Sequence, residues 1–147
     1  MNIAASDELR IREIIDDRIV AIRAKDADGV LSHYAPDLVT FDLAPPLAYA
    51  GEAALDRQGL EGWFATWQGP IGLEARDVYV RVGGDIAFAR GFYRISGTKT
   101  DGERPDIWVR GTLCFAKADG GWKIVHEHMS VPFYMDGSYR AAIDLKP

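Results

Sequence analysis

The chain has 147 residues, 48% of them hydrophobic and 27% charged, with a net charge of −5. That length fits a single domain able to bury a core, and the composition is that of an ordinary folded protein, which argues against disorder. Interleaved acids and bases leave no basic stripe to neutralise phosphates, no apolar run nears the roughly 20 residues of a membrane span, and Met1 to Arg10 carries acids where a signal peptide is basic; a cytoplasmic protein with neither nucleic acid nor membrane as partner is expected.

Ser6-Asp7-Glu8 supplies an N-cap and first-turn acids ahead of Ile11, Ile14, Ile15, Ile19 and Ile22, whose spacing makes one apolar stripe on a helix. Arg10, Arg12, Asp16, Asp17 and Arg23 fall mainly off that stripe and form a solvated face. A second short helix is expected from about Ala27 to His33, ended by Pro36-Asp37. Leu38 to Asp42 has the β-branched and aromatic content of a strand and ends on a carboxylate. Leu43 to Gly51 holds Pro45-Pro46 and must be a loop, placed to lie over a pocket. Leu60, Trp63, Phe64 and Trp67 then repeat at helical spacing within Glu52 to Gln68, and Gly69-Pro70 stops that third helix.

From Ile71 onward the period becomes that of strands. Leu73–Val82, Ile86–Gly97, Ile107–Ala118 and Trp122–Val131 are joined by Gly83-Gly84-Asp85, by Thr98 to Pro105, and by Asp119-Gly120-Gly121, all tight-turn chemistry. Short links make an antiparallel meander, and helices followed by strands argue for an α+β domain with the helices on one face of a curved sheet. In Ile107–Ala118 both faces carry apolar residues: Val109, Leu113 and Phe115 on one, Trp108, Cys114 and Ala116 on the other. A homodimer built through the sheet would cover the second face. Cys114, the single cysteine, can form no internal disulfide and reads as an inert buried thiol.

The last strand reads Trp-Lys-Ile-Val-His-Glu-His-Met-Ser-Val-Pro from Trp122 to Pro132. Regular alternation puts Trp122, Ile124, His126, His128 and Ser130 on one side and Lys123, Val125, Glu127, Met129 and Val131 on the other. The first set reads as a wall running from an apolar core into the polar mouth of a pocket. A metal site on His126 and His128 lacks a third ligand, because Glu127 points away, and none is expected. No P-loop, dinucleotide fingerprint, nucleophile elbow or zinc-finger spacing occurs, and no cofactor is expected.

Several runs together resemble the SnoaL-like group of the nuclear transport factor 2-like superfamily: Tyr34-Ala-Pro-Asp37 before a strand ending Phe41-Asp42, Gly84 to Phe88, Trp108-Val-Arg-Gly-Thr112, and Gly121 to Pro132. The resemblance implies a cone-shaped α+β fold, about three N-terminal helices packed on a curved antiparallel sheet, with a pocket between them and usually a dimer. It also implies a range of functions, from ketosteroid isomerases, polyketide cyclases, epoxide hydrolases and dehydratases to non-enzymatic domains, so the fold does not select the chemistry.

An isomerase or cyclase of this kind needs a carboxylate base in an apolar pocket, and Asp42, after Phe41 and before an apolar loop, fits; the alternative is an aspartate that only caps a turn. His128, nearer the polar end of its strand, is the second catalytic candidate, and His126 is a candidate ligand contact or a structural histidine. Arg110, flanked by Trp108, must be paired if buried, either with a ligand oxygen or with Asp42 or another acid. Asp42, Arg110 and Asp106 also contain the residue types of an epoxide hydrolase set, though without marked spacing. Tyr34, Trp63, Tyr93 and Trp108 complete the binding candidates; Trp63 and Trp67 have core packing as their alternative. The ligand expected is a small apolar or aromatic compound bearing a carbonyl, converted by isomerisation, cyclisation or dehydration. A binding or dimerisation domain without chemistry is the alternative.

Overall fold

A computed structural model describes residues 2–119 and 121–147. Helix α1 spans Ile3–Arg23 and starts earlier than Ser6: the Asn2 side chain caps it, its Oδ1 accepting from the Ala5 N–H at 2.7 Å. That frees Asp7 for a different task. Its Oδ1 accepts from Trp122 Nε1 at 2.9 Å and from Lys117 Nζ at 3.2 Å, tying α1 to the far end of the chain. The isoleucine stripe is buried as expected, with Ile11 and Ile14 fully enclosed. Helix α2 covers Ala27–Leu31 and is capped by Asp26.

Strand β1 runs over Tyr34–Phe41, so it begins before Pro36 rather than after it. Its pairing is irregular between Tyr34 and Val39, and a proline, which has no N–H for a ladder, is tolerated in such an interruption. Strand β2 is the two-residue piece Tyr49–Ala50, followed by a 3-10 turn, Gly51–Ala53. Helix α3, Arg57–Ala65, is capped by Asp56 and lies within the Glu52–Gln68 span expected, but Trp67, counted in its repeat, already opens strand β3, so Gly69-Pro70 does not end the helix.

The meander is formed by β3 (Trp67–Gly83), β4 (Ile86–Lys99), β5 (Asp106–Ala118) and β6 (Gly121–Ser130), the four strands read from the sequence, except that β3 starts at Trp67 rather than Leu73 and takes in Gly69-Pro70; Gly120 of the last expected turn lies outside the described residues. The six strands lie in the order β2-β1-β6-β5-β4-β3. All neighbours are antiparallel except β1 and β6, which run parallel. The third helix therefore follows the first two strands, and the domain is an α+β layer pair with α1 laid across the inner face of a curved sheet. Arg23 Nε donates to the Leu73 carbonyl at 2.7 Å and fixes the C-terminal end of α1 on β3. Among the described residues no helix is long and apolar enough to cross a membrane.

One irregularity changes the meaning of β6. Phe115 pairs with Ile124, yet Cys114 pairs with His126, so Val125 is an extra residue bulged out of the ladder. Beyond it the faces exchange. Trp122 and Ile124 point to the core, and so do Glu127 and Met129, opposite Leu113 and Gly111; His126, His128 and Ser130 fall on the outer face, opposite Cys114, Thr112 and Arg110. The wall expected from strict alternation, with both histidines in line behind Trp122 and Ile124, is not formed.

Candidate functional site

Between the helices and the inner face of the sheet lies a cavity of about 440 Å³. Leu60 and Trp63 of α3, Ile22 of α1, and Ile71, Leu73, Ile95 and Val109 of the sheet make most of its wall apolar. The loop after β1 borders it through Asp42, Leu43 and Ala44, and β2 through Tyr49; all four are exposed and mark its mouth. A largely apolar concavity with a few converging polar groups is the usual form of a small-molecule site.

The polar groups are at the inner end. Arg18 occupies a position on the buried stripe of α1, and its side chain is only 10% exposed. Its Nη2 is paired with Glu127 Oε1, and its Nε donates to the Tyr34 hydroxyl at 3.0 Å. Tyr34 in turn donates to Glu127 Oε2 at 2.8 Å, closing a three-membered ring of hydrogen bonds from α1, β1 and β6. Burial works against the Arg18 charge, but the Glu127 carboxylate and Tyr34 outweigh it, so the guanidinium is held more firmly protonated than usual. Burial raises the Tyr34 phenol, with Arg18 opposing and Glu127 reinforcing the rise. Tyr93, from β4, also lines the cavity, and burial raises its phenol too.

Of the residues singled out in the sequence, the structure gathers Tyr34, Asp42, Trp63 and Tyr93 around this one cavity. Thr40 pairs with Glu127 across β1 and β6, and Asp42 lies two residues further along, roughly 7 Å at the rise of a strand. The Asp42 carboxylate is exposed and accepts from the Leu43 N–H at 2.7 Å.

The other candidates are elsewhere. His126, His128, Trp108 and Arg110 lie outside the cavity lining, because the bulge at Val125 turns the histidines outward and Trp108 and Arg110 belong to the outer set of β5. His126 Nδ1 donates to the Val39 carbonyl at 2.7 Å, and its ring meets Phe41 edge-on at 4.7 Å, with His128 5.3 Å from the same phenylalanine. Arg110 Nε reaches Ser130 Oγ at 3.2 Å rather than Asp42, and with Trp108 it borders a shallow groove of about 190 Å³ against the C-terminal segment. Asp106 is engaged by Arg94 through two 2.7 Å contacts, so Asp42, Arg110 and Asp106 do not form one site. Among the described residues no three potential ligands cluster for a metal.

Arg18 and Glu127 are the site residues that sequence reasoning missed. Arg18 had a signal: it falls on the spacing Ile11, Ile14, Ile15, Ile22, where a cation is buried and therefore needs a partner. Glu127 had none, since its inward direction depends on the bulge.

A family model described as a SnoaL-like domain matches residues 11–134. An NTF2-like protein of unknown function from Pseudomonas putida KT2440 is 30% identical, with 99% of this chain and 100% of that chain covered at a TM-score of 0.87. A candidate aromatic ring hydroxylase from Novosphingobium aromaticivorans shares 22% identity over 88% of this chain and 91% of its own, TM-score 0.76. A candidate scytalone dehydratase from the same organism shares 20% over 94% and 92%, TM-score 0.72. These last two likenesses concern the fold alone. Nothing among the curated proteins matches the chain. With most of its length matched by the family model and its whole length superposed on an NTF2-like structure, the chain belongs to the SnoaL-like family of the NTF2-like superfamily.

Proposed function

We propose that the chain binds a small apolar carbonyl compound in the inner cavity and converts it by acid–base chemistry, as an isomerase, cyclase or dehydratase that needs no cofactor. The observation that carries this reading is an apolar cavity with a carboxylate at its mouth and buried phenols at its inner end. A base beside the α-carbon of a carbonyl and a hydrogen-bond donor at its oxygen are the two parts an enolisation requires. Asp42 takes the base role; the Tyr34 proton is already given to Glu127, and Tyr93 lines the region where the oxygen would sit. The neighbour described as a candidate scytalone dehydratase is consistent with this reaction class. His128 and Arg110, which the sequence placed in the reaction, lie outside the cavity lining, and this reading gives them no role.

A non-catalytic binding domain is the second reading. It is favoured by Asp42 accepting from Leu43, which is what a turn-capping aspartate does. Deuterium exchange at the α-carbon of 2-tetralone in D2O separates the two. Acceleration by the wild type that Asp42→Asn abolishes, with unchanged thermal unfolding, supports catalysis. Saturable binding without acceleration supports the second reading.

We also propose a homodimer through the outer sheet face. Phe88 and Phe92 on β4 are 38% and 36% exposed there, and a second subunit would cover them. A light-scattering mass of one chain at micromolar concentration would exclude it.

A further inference from the structure

The ring of hydrogen bonds at the inner end of the cavity leaves part of its capacity unused. Tyr34 is fully engaged: its oxygen accepts from Arg18 Nε at 3.0 Å, and its proton goes to Glu127 Oε2 at 2.8 Å. Glu127 is not. Each oxygen of an ionised carboxylate can accept more than once, and within the chain Oε1 accepts only from Arg18 Nη2 and Oε2 only from Tyr34. Arg18 is unsaturated too, because among the described residues its Nη1 amino group donates to nothing. The side-chain polar atoms that are both sealed from solvent and unpartnered are Trp67 Nε1 and the Tyr93 hydroxyl among the described residues, so Arg18 Nη1 keeps open space beside it. The Arg18 and Glu127 side chains are 10% and 11% exposed and both line the cavity, so that space is the cavity itself.

The floor therefore offers a donor and an acceptor side by side, on an ion pair with no net charge. A buried pair gains most when its remaining N–H groups and lone pairs are also hydrogen-bonded. A ketone or ether oxygen meets only the donor. A carboxylate would compete with Glu127 for the guanidinium, and an ammonium would lie against Arg18, each bringing like charges together away from water. A hydroxyl answers both halves at once, since its oxygen accepts while its proton is donated, and each bond is made to a charged partner.

Resting on the reading of the cavity as a ligand site, we propose that the Arg18–Glu127 pair determines specificity at the floor, and that the ligand carries an alcohol or phenol hydroxyl at its inner end in addition to its carbonyl. That hydroxyl accepts from Arg18 Nη1 and donates to Glu127. The substrate class is thereby narrowed from carbonyl compounds in general to hydroxylated ones.

The test uses three probes of one frame: 2-tetralol, which donates and accepts; 2-methoxytetralin, which only accepts; and tetralin, which does neither. Affinities are measured by ligand-observed NMR on wild type and on Arg18→Met/Glu127→Leu, with melting curves to show that the variant is folded. Wild type should bind 2-tetralol about 10-fold more tightly than either other probe, as a hydrogen bond to a charged group provides. In the double variant the preference for 2-tetralol over its methyl ether should vanish while tetralin still binds. Equal affinities of 2-tetralol and 2-methoxytetralin in the wild type would overturn the inference without any variant. A preference that survives in the double variant would also overturn it, by placing the hydroxyl elsewhere. Either result leaves the cavity a binding site and leaves deuterium exchange of 2-tetralone as an independent test of the chemistry. Failure of all three probes to bind would remove the ligand-site reading, and this inference with it.

Discussion

Replacing Arg18 by methionine tests the ring of hydrogen bonds at the inner end of the cavity. Methionine keeps the length and apolar stem of the arginine but leaves the Glu127 carboxylate, 11% exposed, with the Tyr34 hydroxyl as its remaining partner. Removing one member of a buried ion pair typically costs about 3–5 kcal/mol, because the survivor stays desolvated without its counter-charge. For a chain of this length the unfolding entropy near the transition is about 0.3 kcal/mol/K, so the melting temperature should fall by roughly 10–16 °C. The double variant Arg18→Met/Glu127→Leu should recover at least half of that loss, since apolar side chains of similar volume often replace a buried pair without penalty. Urea unfolding of wild type, both single variants and the double variant gives the interaction energy directly. The reasoning fails if Arg18→Met stays within about 1 kcal/mol of wild type, or if the double variant costs the sum of the two singles.

The link between α1 and the last strands should appear in the acid limb of stability. The hydrogen bond from Trp122 lowers the Asp7 carboxyl below its ordinary range, burial opposes, and Lys117 adds to the lowering. A depressed carboxyl contributes stability above its unfolded value, near pH 4, and loses it as the pH falls through the lower folded value. Asp7→Asn should therefore flatten the fall in melting temperature below about pH 4 relative to wild type; an unchanged acid limb would remove Asp7 from that account. Gly111→Ala should destabilise by about 1–3 kcal/mol, because its Cβ meets the Tyr93 ring and Met129 at distances that force them to move. The same variant should weaken 2-tetralone binding as the Tyr93 ring is pushed from its place in the cavity wall, whereas an unaltered melting temperature and affinity would show that the ring is free to shift.

The local rules settled most of the scaffold. The isoleucine spacing of α1, the glycine-rich turn at residues 83–85, and the strand periods of β4, β5 and the start of β6 all report interactions between residues close in sequence, whereas Gly69-Pro70, expected to stop α3, lies inside β3. Such interactions are decided by backbone geometry and by the side chains within a turn or a pleat. Asp42 was legible as a cavity-border residue because it ends a strand before an apolar loop, and Tyr93 because its small neighbours Ala87, Ala89 and Gly91 leave room; Trp63, with core packing as its alternative, also lines the cavity.

What the tertiary structure decided was the direction of β6 beyond Val125 and the identity of the polar floor. A bulge is a property of two paired strands, set by how β5 and β6 fit together while the sheet curves over α1. One extra residue exchanged the two faces, took His126 and His128 out of the cavity and put Glu127 into it, 109 residues from the arginine that neutralises it. Alternation along a strand can be read from the sequence, but the point at which it slips depends on a partner strand that the local pattern does not contain.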